Sequence, residues 1–340
     1  MEKSASKSEE PSSNVTATSP RLTVSGSPGS TNQLDMYLKL GMYKQAEEVM
    51  DEALKAVKWV PWFLLSDSRE KGQIVLSRIL SARGKFAEAT KAIEKSCQKS
   101  AATADVALWR SALGCRANIA LSTGDKVVAR IYYQQAYDSR ELPLKNPKSD
   151  VEQRVTVNCT INALTGLSEV LRYESPAESA QLLQKAMDLE NTLSGPAHFA
   201  CLSLQSVRAA DDQDFEGARQ IMLKTGSTGT TESRLLYISA RTELLAGNYA
   251  ESRLLFLEAI ALSDDGVRLK ARCLRALGEI ALLQKDQLRA NQYFAKTMSA
   301  CNSMGLIHPR FLYSLSFAAK FDDAAFPGWK SFYESHYPEK

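Results

Sequence analysis

The chain has 340 residues, of which 44% are hydrophobic and 24% are charged, and its formal net charge is +3. A chain of this size can bury a substantial core, and so balanced a charge does not favour nucleic acid or an anionic membrane as the partner. No run of roughly 18 or more apolar residues is present, and the first thirty residues lack the apolar block of a secretory signal. We therefore expect a cytoplasmic protein without an integral membrane segment.

Residues 1–32 form a segment with almost nothing to bury. Thirteen of these residues are Ser or Thr, and Pro and Gly interrupt the rest. Such a composition cannot offset the conformational entropy lost on folding, so the sequence predicts a disordered tail. Ser19 and Ser27 each precede a proline and are candidate sites for a proline-directed kinase, while an unmodified solubilising tail is an equally good interpretation.

The stretch from Leu34 to Val57 has the pattern of one half of a helical hairpin. A turn glycine is followed by an aromatic residue and then by small, large and small residues at helical spacing: Gly41, Tyr43, Ala46, Met50 and Ala53. Small residues let two helices approach closely, and the large ones fill the groove beside them. Such a hairpin leaves an apolar face open, so it needs neighbours that cover it.

The same pattern recurs along the chain, and its first small residue marks each copy. The seven copies place this residue at Ala46, Ala89, Ala129, Ser179, Ala218, Ser252 and Ala290. A segment with an apolar helical face precedes each copy, and no run of alternating β-branched residues predicts a strand. The fold class is therefore predicted to be all-α, an α-solenoid of about seven hairpins over residues 33–305.

These repeats resemble the tetratricopeptide (TPR) family. The intervals between copies run from 34 to 50 residues, whereas a strict array steps by about 34, so we expect a less regular superhelix.

The final segment, residues 306–340, is rich in aromatic residues. We predict that it caps the last open hairpin face, which every stack requires. An aromatic site for a partner is the alternative.

Little in the sequence supports catalysis. The three histidines are His198, His308 and His336, and a cysteine, Cys201, follows His198 at helical spacing. We interpret this pair as an exposed histidine beside an ordinary core cysteine, because a nucleophilic pair usually comes from separate elements around a cleft. No phosphate-binding loop, dinucleotide motif or zinc spacing occurs. The chain is therefore predicted to be non-enzymatic, with no cofactor and no metal.

Cysteines and paired acids both have structural interpretations. The six cysteines occur singly and are predicted to be reduced core residues, as expected in the cytoplasm: Cys97, Cys115, Cys159, Cys201, Cys273 and Cys301. Acidic residues cluster at predicted helix boundaries, at Asp211-Asp212-Asp214, Asp264-Asp265 and Asp322-Asp323. We expect them to cap helix N-termini, where free backbone N–H groups and the helix dipole favour a carboxylate.

Arg268, Arg272 and Arg275 recur at i, i+4 and i+7, so they lie along one face of a predicted helix. Such a stripe could bind an acidic peptide or a phosphate. The alternative, which we favour, is a solvated face balanced by nearby acids: Asp264, Asp265 and Glu279.

Some TPR co-chaperones hold the acidic C-terminus of heat-shock chaperones with a clamp of Lys, Asn and Arg side chains. In the register set by Gly41, Gly84 and Gly124, the clamp positions hold quite different residues: Thr31, Asp35, Val75, Ser111 and Cys115. The sequence therefore does not predict a reader of chaperone tails.

The first half of the chain has a narrower resemblance. The segments Leu38–Glu47 (LKLGMYKQAE), Val60–Trp62 (VPW) and Leu108–Gly114 (LWRSALG) look like subunit 12 of the TRAPP vesicle-tethering complex. In that family the repeats form a scaffold arm that joins other tethering subunits. The resemblance implies a subunit of a multiprotein complex in ER–Golgi traffic, peripheral to these membranes through its partners, with Trp109 and Arg110 as candidate contacts.

Two functional hypotheses follow. The first is a scaffold that binds protein partners over a broad surface of the repeats. The alternative is a soluble regulator that binds a peptide or an acidic ligand in its concave groove through Arg268, Arg272 and Arg275. Screening or removing that charge should defeat the second function but not the first.

Overall fold

The computed structural model describes nine stretches of the chain: residues 33–34, 36–38, 42–58, 68–102, 105–144, 150–192, 199–225, 232–263 and 266–304. Within these ranges every regular element is helical, as predicted. The predicted tail, residues 1–32, and the predicted cap, residues 306–340, lie outside the described residues and stay predictions.

Thirteen α-helices and one short 3-10 helix, Ser139–Glu141, lie in the described ranges. The bounds of the α-helices are Tyr43–Lys58 (α1), Ser68–Ala82 (α2), Phe86–Ala102 (α3), Val106–Ser122 (α4), Lys126–Asp138 (α5), Asp150–Leu171 (α6), Pro176–Glu190 (α7), Phe199–Asp211 (α8), Phe215–Thr225 (α9), Glu232–Leu245 (α10), Tyr249–Leu262 (α11), Val267–Leu283 (α12) and Gln287–Ser303 (α13).

The helices pack as successive hairpins. Turns of three or four residues join α2 to α3, α4 to α5, and so on in pairs up to α12 and α13. Connections this short bring the two helices of a pair side by side in opposite directions. Each hairpin also contacts the next, and α1 packs on α2 at the start of the stack. The predicted all-α solenoid is therefore confirmed.

The small residues that define the repeat register lie where the two helices of each hairpin cross. All seven have 0% of their surface exposed: Ala46, Ala89, Ala129, Ser179, Ala218, Ser252 and Ala290. In three hairpins a serine of the first helix donates a hydrogen bond to the carbonyl of this residue: Ser77 to Ala89 (2.9 Å), Ser168 to Ser179 (2.8 Å) and Ser206 to Ala218 (3.1 Å). A small polar side chain is tolerated at the crossing because its hydroxyl is satisfied there.

The second small residue of the first copy is an exception. Ala53 is exposed, so the prediction that it faces a neighbouring helix is wrong. Leu54 takes this contact instead, since a Cβ placed on Gly72 of α2 would lie 2.9 Å from Leu54 Cδ2 and 3.7 Å from Met50 Sδ. Because residue 72 of α2 is a glycine, the large side chain of Leu54 fits there. Helix α1 therefore contacts α2 through Leu54 and not through Ala53.

The last hairpin packs back against the first ones. Ala271 of α12 and Cys301 of α13 belong to the same apolar core as Ile74 of α2 and Ile119 of α4. Met304, directly after α13, packs on the turn between α2 and α3. In a simple repeat array each repeat contacts only its neighbours. We call the contact of α12, α13 and Met304 with α2, α3 and α4 the closure.

Replacing Ala46, Ala89 or Ala129 by Leu is expected to lower the free energy of unfolding by about 1–3 kcal/mol, because the added atoms overpack a crossing without free space. Urea denaturation of the purified variants measures this loss. Ala53→Leu is the matched control, since its exposed position in the same register should tolerate the larger side chain. If the three core variants unfold like the parent, the register is wrong.

Gly84→Ala and Gly247→Ala separate the closure from backbone strain. Both glycines have left-handed backbone, with φ of 77° and 83°, so each alanine should cost about 1 kcal/mol from strain. A Cβ at Gly84 would clash with the Met304 side chain, whereas one at Gly247 has no atom within 4 Å. We therefore expect Gly84→Ala to be more destabilising in urea denaturation, and Met304→Ala to relieve part of the difference. Equal losses in the two glycine variants would show that Met304 does not pack on this turn.

Candidate functional site

The hairpin α4/α5 carries aromatic side chains that are only half-buried. Trp109 of α4 and Tyr132 and Tyr137 of α5 surround a small apolar core of three buried residues: Leu113, Ala136 and Ala163. All three rings keep part of their surface accessible. A ring that is anchored on one side and open on the other can contact a partner without first being ordered.

Two arginines stack on these rings. The guanidinium carbon of Arg116 lies 4.4 Å from the centroid of the Tyr132 ring, and that of Arg140 lies 3.8 Å from the centroid of Tyr137. Arg116 Nη2 also lies 3.7 Å from Glu94 Oε1, and Arg140 donates to the Tyr137 carbonyl at 3.0 Å. Both side chains are therefore held in place. The aromatic–arginine surface consists of Trp109, Arg116, Tyr132, Tyr137 and Arg140.

Four of these five residues were not singled out from the sequence. Tyr137 and Arg140 lie one helical turn apart, so their contact has a local signal. Arg116 and Tyr132 lie on different helices, and only the hairpin register brings them together. Trp109 was predicted as a partner contact, and this contact remains a prediction.

Arg110 has an internal role. It is 1% exposed, and its guanidinium donates to the Ser139 carbonyl, to the Leu142 carbonyl (3.0 Å) and to Thr156 Oγ1 (2.8 Å). Burial also lowers the pKa of Arg110. These bonds tie the 3-10 helix after α5 to α4 and α6. The side chain does not reach the surface, so of the two neighbours in the LWRSALG segment Trp109 alone offers accessible area to a partner.

The three arginines predicted to form one stripe have different surroundings. Arg275 pairs with Glu279 one turn along α12, as the balanced-face interpretation expects. Arg268 instead reaches across the closure and donates to Ser122 Oγ at the end of α4. The three arginines therefore do not act as one stripe, because Arg268 belongs to the contact between the two ends of the stack. Binding of an acidic ligand by these residues remains a prediction.

Arg268 lies in partly buried, positively charged surroundings. Burial, followed by the charges of Arg272 and Arg234, lowers the pKa of Arg268 to about 9. The Tyr43 and Tyr133 phenols act in the opposite direction. In the described part of the chain Arg268 forms no ion pair. A negatively charged group beside it would therefore be stabilised.

Two asparagines near the closure were also missed by the sequence analysis. Tyr133 Oη donates to Asn118 Oδ1 at 2.6 Å, and Asn118 Nδ2 lies 3.4 Å from Asn162 Oδ1. Both side chains belong to the first helices of their hairpins, α4 and α6. Amide groups can donate to and accept from the backbone of an extended peptide. A polar residue in a first helix is not distinctive enough in the sequence to mark such a site.

The candidate for cysteine chemistry has no suitable environment. Cys201 is buried, and this burial raises the pKa of its thiol to about 12. A thiol that stays protonated is a poor nucleophile. His198 lies outside the described residues. All six cysteines are free. Five are buried, which confirms their prediction as core residues, whereas Cys159 is only partly buried.

The acidic residues have two roles. Asp214 caps α9, accepting from the Gly217 backbone N–H at 2.9 Å, as predicted. Asp211 does not cap a helix but pairs with Arg241 (2.9 Å) and Arg172 (3.4 Å), so the capping prediction is wrong for it. Two arginines converge on its carboxylate from neighbouring elements, which outweighs a local cap. The acids at 264–265 and 322–323 lie outside the described residues.

Metal and membrane chemistry find no support in the described ranges. They contain no group of three or more His, Cys, Asp or Glu residues arranged to hold a metal ion. None of their helices combines the length and the apolar character that crossing a bilayer requires.

Comparisons with known proteins identify the fold. No protein-family model and no curated protein matches the sequence. Among solved structures, a Rap protein complexed with Competence and Sporulation Factor has a TM-score of 0.59 and 12% identity over 91% of this chain and 85% of that chain. A tetratricopeptide repeat protein from Parabacteroides merdae has a TM-score of 0.44 and 15% identity over 89% of this chain and 97% of that one. The likeness to the Rap protein concerns the fold alone and agrees with the stack of helical hairpins described above, whereas a specific likeness to the TRAPP subunit does not emerge.

Proposed function

We propose that this protein is a non-enzymatic scaffold that binds other proteins through its repeat surface. The observation that supports it most directly is the aromatic–arginine surface on hairpin α4/α5. Trp, Tyr and Arg are the residue types enriched at the centres of protein interfaces, where they contribute large contact areas at a small cost in conformational entropy. Such a surface fits a protein partner better than a small metabolite, which usually needs an enclosed pocket.

The chemistry of this surface indicates the kind of partner. Each guanidinium lies over the face of a tyrosine ring, so the N–H donors at its edge remain available to a partner. These donors favour carboxylates or carbonyl oxygens. The partly open rings favour aliphatic or aromatic side chains between these donors. We infer that the partner presents apolar side chains flanked by acidic or backbone acceptors.

A narrower form of the proposal places the scaffold in a vesicle-tethering complex of ER–Golgi traffic, held at those membranes through its partners. It rests on the resemblance of Leu108–Gly114 to the TRAPP subunit. In this chain that segment forms the first half of α4 and carries Trp109 into the aromatic–arginine surface. Small TRAPP subunits among the co-purifying proteins would support this assignment, and their absence would oppose it while leaving the scaffold proposal intact.

Trp109→Ala and Arg116→Gln test the scaffold proposal in affinity purification with mass spectrometry. Each is expected to weaken binding of the principal partner by about 2 kcal/mol, roughly thirtyfold in Kd, because each removes part of one connected surface. Tyr173→Ala is the matched control, since Tyr173 is a 55% exposed aromatic outside this surface. Melting curves identify a variant that merely unfolds. Full retention of every partner by two well-folded variants would remove the support for this surface.

An anionic ligand bound at the closure is the second candidate function. The specific observation is Arg268, whose charge meets a hydroxyl and two further arginines but no carboxylate in the described residues. An acidic peptide could pair with Arg268 and meet the amides of Asn118 and Asn162 nearby. The positive charges of Arg272 and Arg234 beside Arg268 would strengthen the binding of the peptide's carboxylate.

Changing Arg268, Arg272 and Arg275 together to Ala separates the two candidates. The scaffold proposal expects the principal partners to remain bound, and moderate salt not to release them, because their contact is broad and partly apolar. Arg289→Ala in the same hairpin controls for a general loss of positive charge. If one partner is lost in the triple variant and in salt, but not in the control, the ligand-binding function replaces the scaffold.

A further inference from the structure

Helix α11 exposes an apolar stripe on the outer surface of the stack. Its buried side contains the register residues Ser252, Phe256 and Ala259. The opposite side presents four exposed apolar residues at heptad spacing, the α11 stripe: Ala250, Leu254, Leu257 and Ala261. Leu254 is 63% exposed and Leu257 is 39% exposed. Two large apolar side chains on the outward face of a helix are unfavourable when that face contacts only water.

The other outer helices provide an internal comparison, because the repeat register aligns them with α11. At the four equivalent positions α3 has Ala87, Lys91, Glu94 and Gln98, and α7 has Ala177, Gln181, Gln184 and Asp188. In both helices the two central positions are polar, as expected for a solvated face. The same two positions hold Ile131 and Gln134 in α5, and Gln220 and Leu223 in α9, so each of these helices has one large apolar residue there. Among the described outer helices, α11 alone has two. The leucines of α11 therefore do not follow from the fold. They indicate a surface that something covers.

Charged residues beside the stripe are arranged asymmetrically. At 3.6 residues per turn, Arg253 lies on one flank, and Glu251 and Glu258 lie on the other. Arg253 forms no hydrogen bond or ion pair within the described part of the chain, and its Nε is buried without a partner. Glu258 is exposed and forms no ion pair there either. The spacing from Arg253 to Glu258 is i to i+5.

We propose that the α11 stripe binds α11 of a second copy of this chain, with the two helices parallel around a two-fold axis. In a parallel pair a residue on one flank faces the residue five positions later on the opposite flank of the partner. Arg253 then meets Glu258 of the second copy, and the symmetry forms the same ion pair twice. An antiparallel pair would instead place the two acidic flanks against each other, which like charges disfavour.

The neighbouring outer helices extend this contact. Leu223 of α9 is 73% exposed and Leu288 of α13 is 74% exposed, and these helices belong to the hairpins on either side of α11. A two-fold axis parallel to α11 brings α9 of one copy toward α13 of the other. The two exposed leucines then add apolar area at both edges of the α11 pair.

The size of this contact sets the expected affinity. One helix pair of about four turns with a few edge residues lies at the low end of specific interfaces, below about 1,200 Å² of total buried area. We therefore expect a reversible dimer with a Kd on the order of micromolar. Sedimentation velocity of the full chain over a concentration series measures it.

Leu254→Gln/Leu257→Gln tests the stripe without disturbing the fold, because α7 already has glutamine at both equivalent positions. Dimerisation should weaken at least tenfold. The control is Val127→Gln/Ile131→Gln, which removes two exposed apolar residues from α5 and should leave the Kd unchanged. A parent chain that stays monomeric on the order of 100 µM, or a dimer unaffected by the α11 change, would overturn the proposal.

Charge reversal and cross-linking test the orientation. Arg253→Glu or Glu258→Arg alone should weaken the dimer several-fold, whereas the double reversal restores both ion pairs and should return most of the affinity. The variant Ala261→Cys should form an intermolecular disulfide, because residue 261 meets its own copy in the parallel pair but lies about 16 Å from it in the antiparallel one. Failure of both tests would reject the parallel pair.

The outcome is separable from that of the scaffold proposal. The aromatic–arginine surface lies on α4 and α5, so the α11 variants should keep the partners that Trp109→Ala loses. If the parent is monomeric and Leu254→Gln/Leu257→Gln loses a different protein, the stripe belongs to that protein and not to a second copy.

Discussion

The close approach of two helices within each hairpin is the constraint on which the rest of this structure depends. A methyl or hydroxymethyl group is the largest side chain that the crossing accepts, and alanine or serine occupies all seven crossings with no exposed surface. The serines remain compatible because their hydroxyls donate to carbonyls of the facing helix, Ser179 to Ser168 and Ser252 to Ala240. This local requirement is independent of loop length, so hairpins at unequal intervals still build one continuous stack.

The closure changes the energetics of that stack. Residues from α12 and α13 share a core with α2, α3 and α4, so unfolding of one end exposes apolar surface at the other. This contact brings Arg268 into partly buried surroundings beside two other arginines, which opposes its charged form and lowers its pKa. Apolar burial around Ala271, Cys301 and Met304 offsets that cost. An open solenoid of independent repeats would not hold a cation in such a place.

The sequence predicts what is local and repeated, and fails where a contact joins distant segments. The register of the crossings needs only one hairpin at a time, so it was found correctly from Ala46 to Ala290. Ala53 was misplaced because the contact of α1 with α2 depends on a glycine at position 72 that no periodicity reveals. Helical spacing put Arg268, Arg272 and Arg275 on one face, but only the folded chain shows that Ser122 lies opposite the first of them. The aromatic–arginine surface was missed because Arg116 and Tyr132 come from different helices.

The register also separates residues that the fold requires from residues that it leaves free. Inward positions of the outer helices are restricted to small or well-packed side chains, whatever the protein binds. Outward positions have no packing partner within the hairpin, so the fold accepts polar residues there, as in α3 and α7. An apolar residue at such a position does not stabilise the repeat. The leucines of α11 and the half-open rings of α4 and α5 are therefore better evidence of binding than any residue in the core, since the architecture alone gives no reason for them.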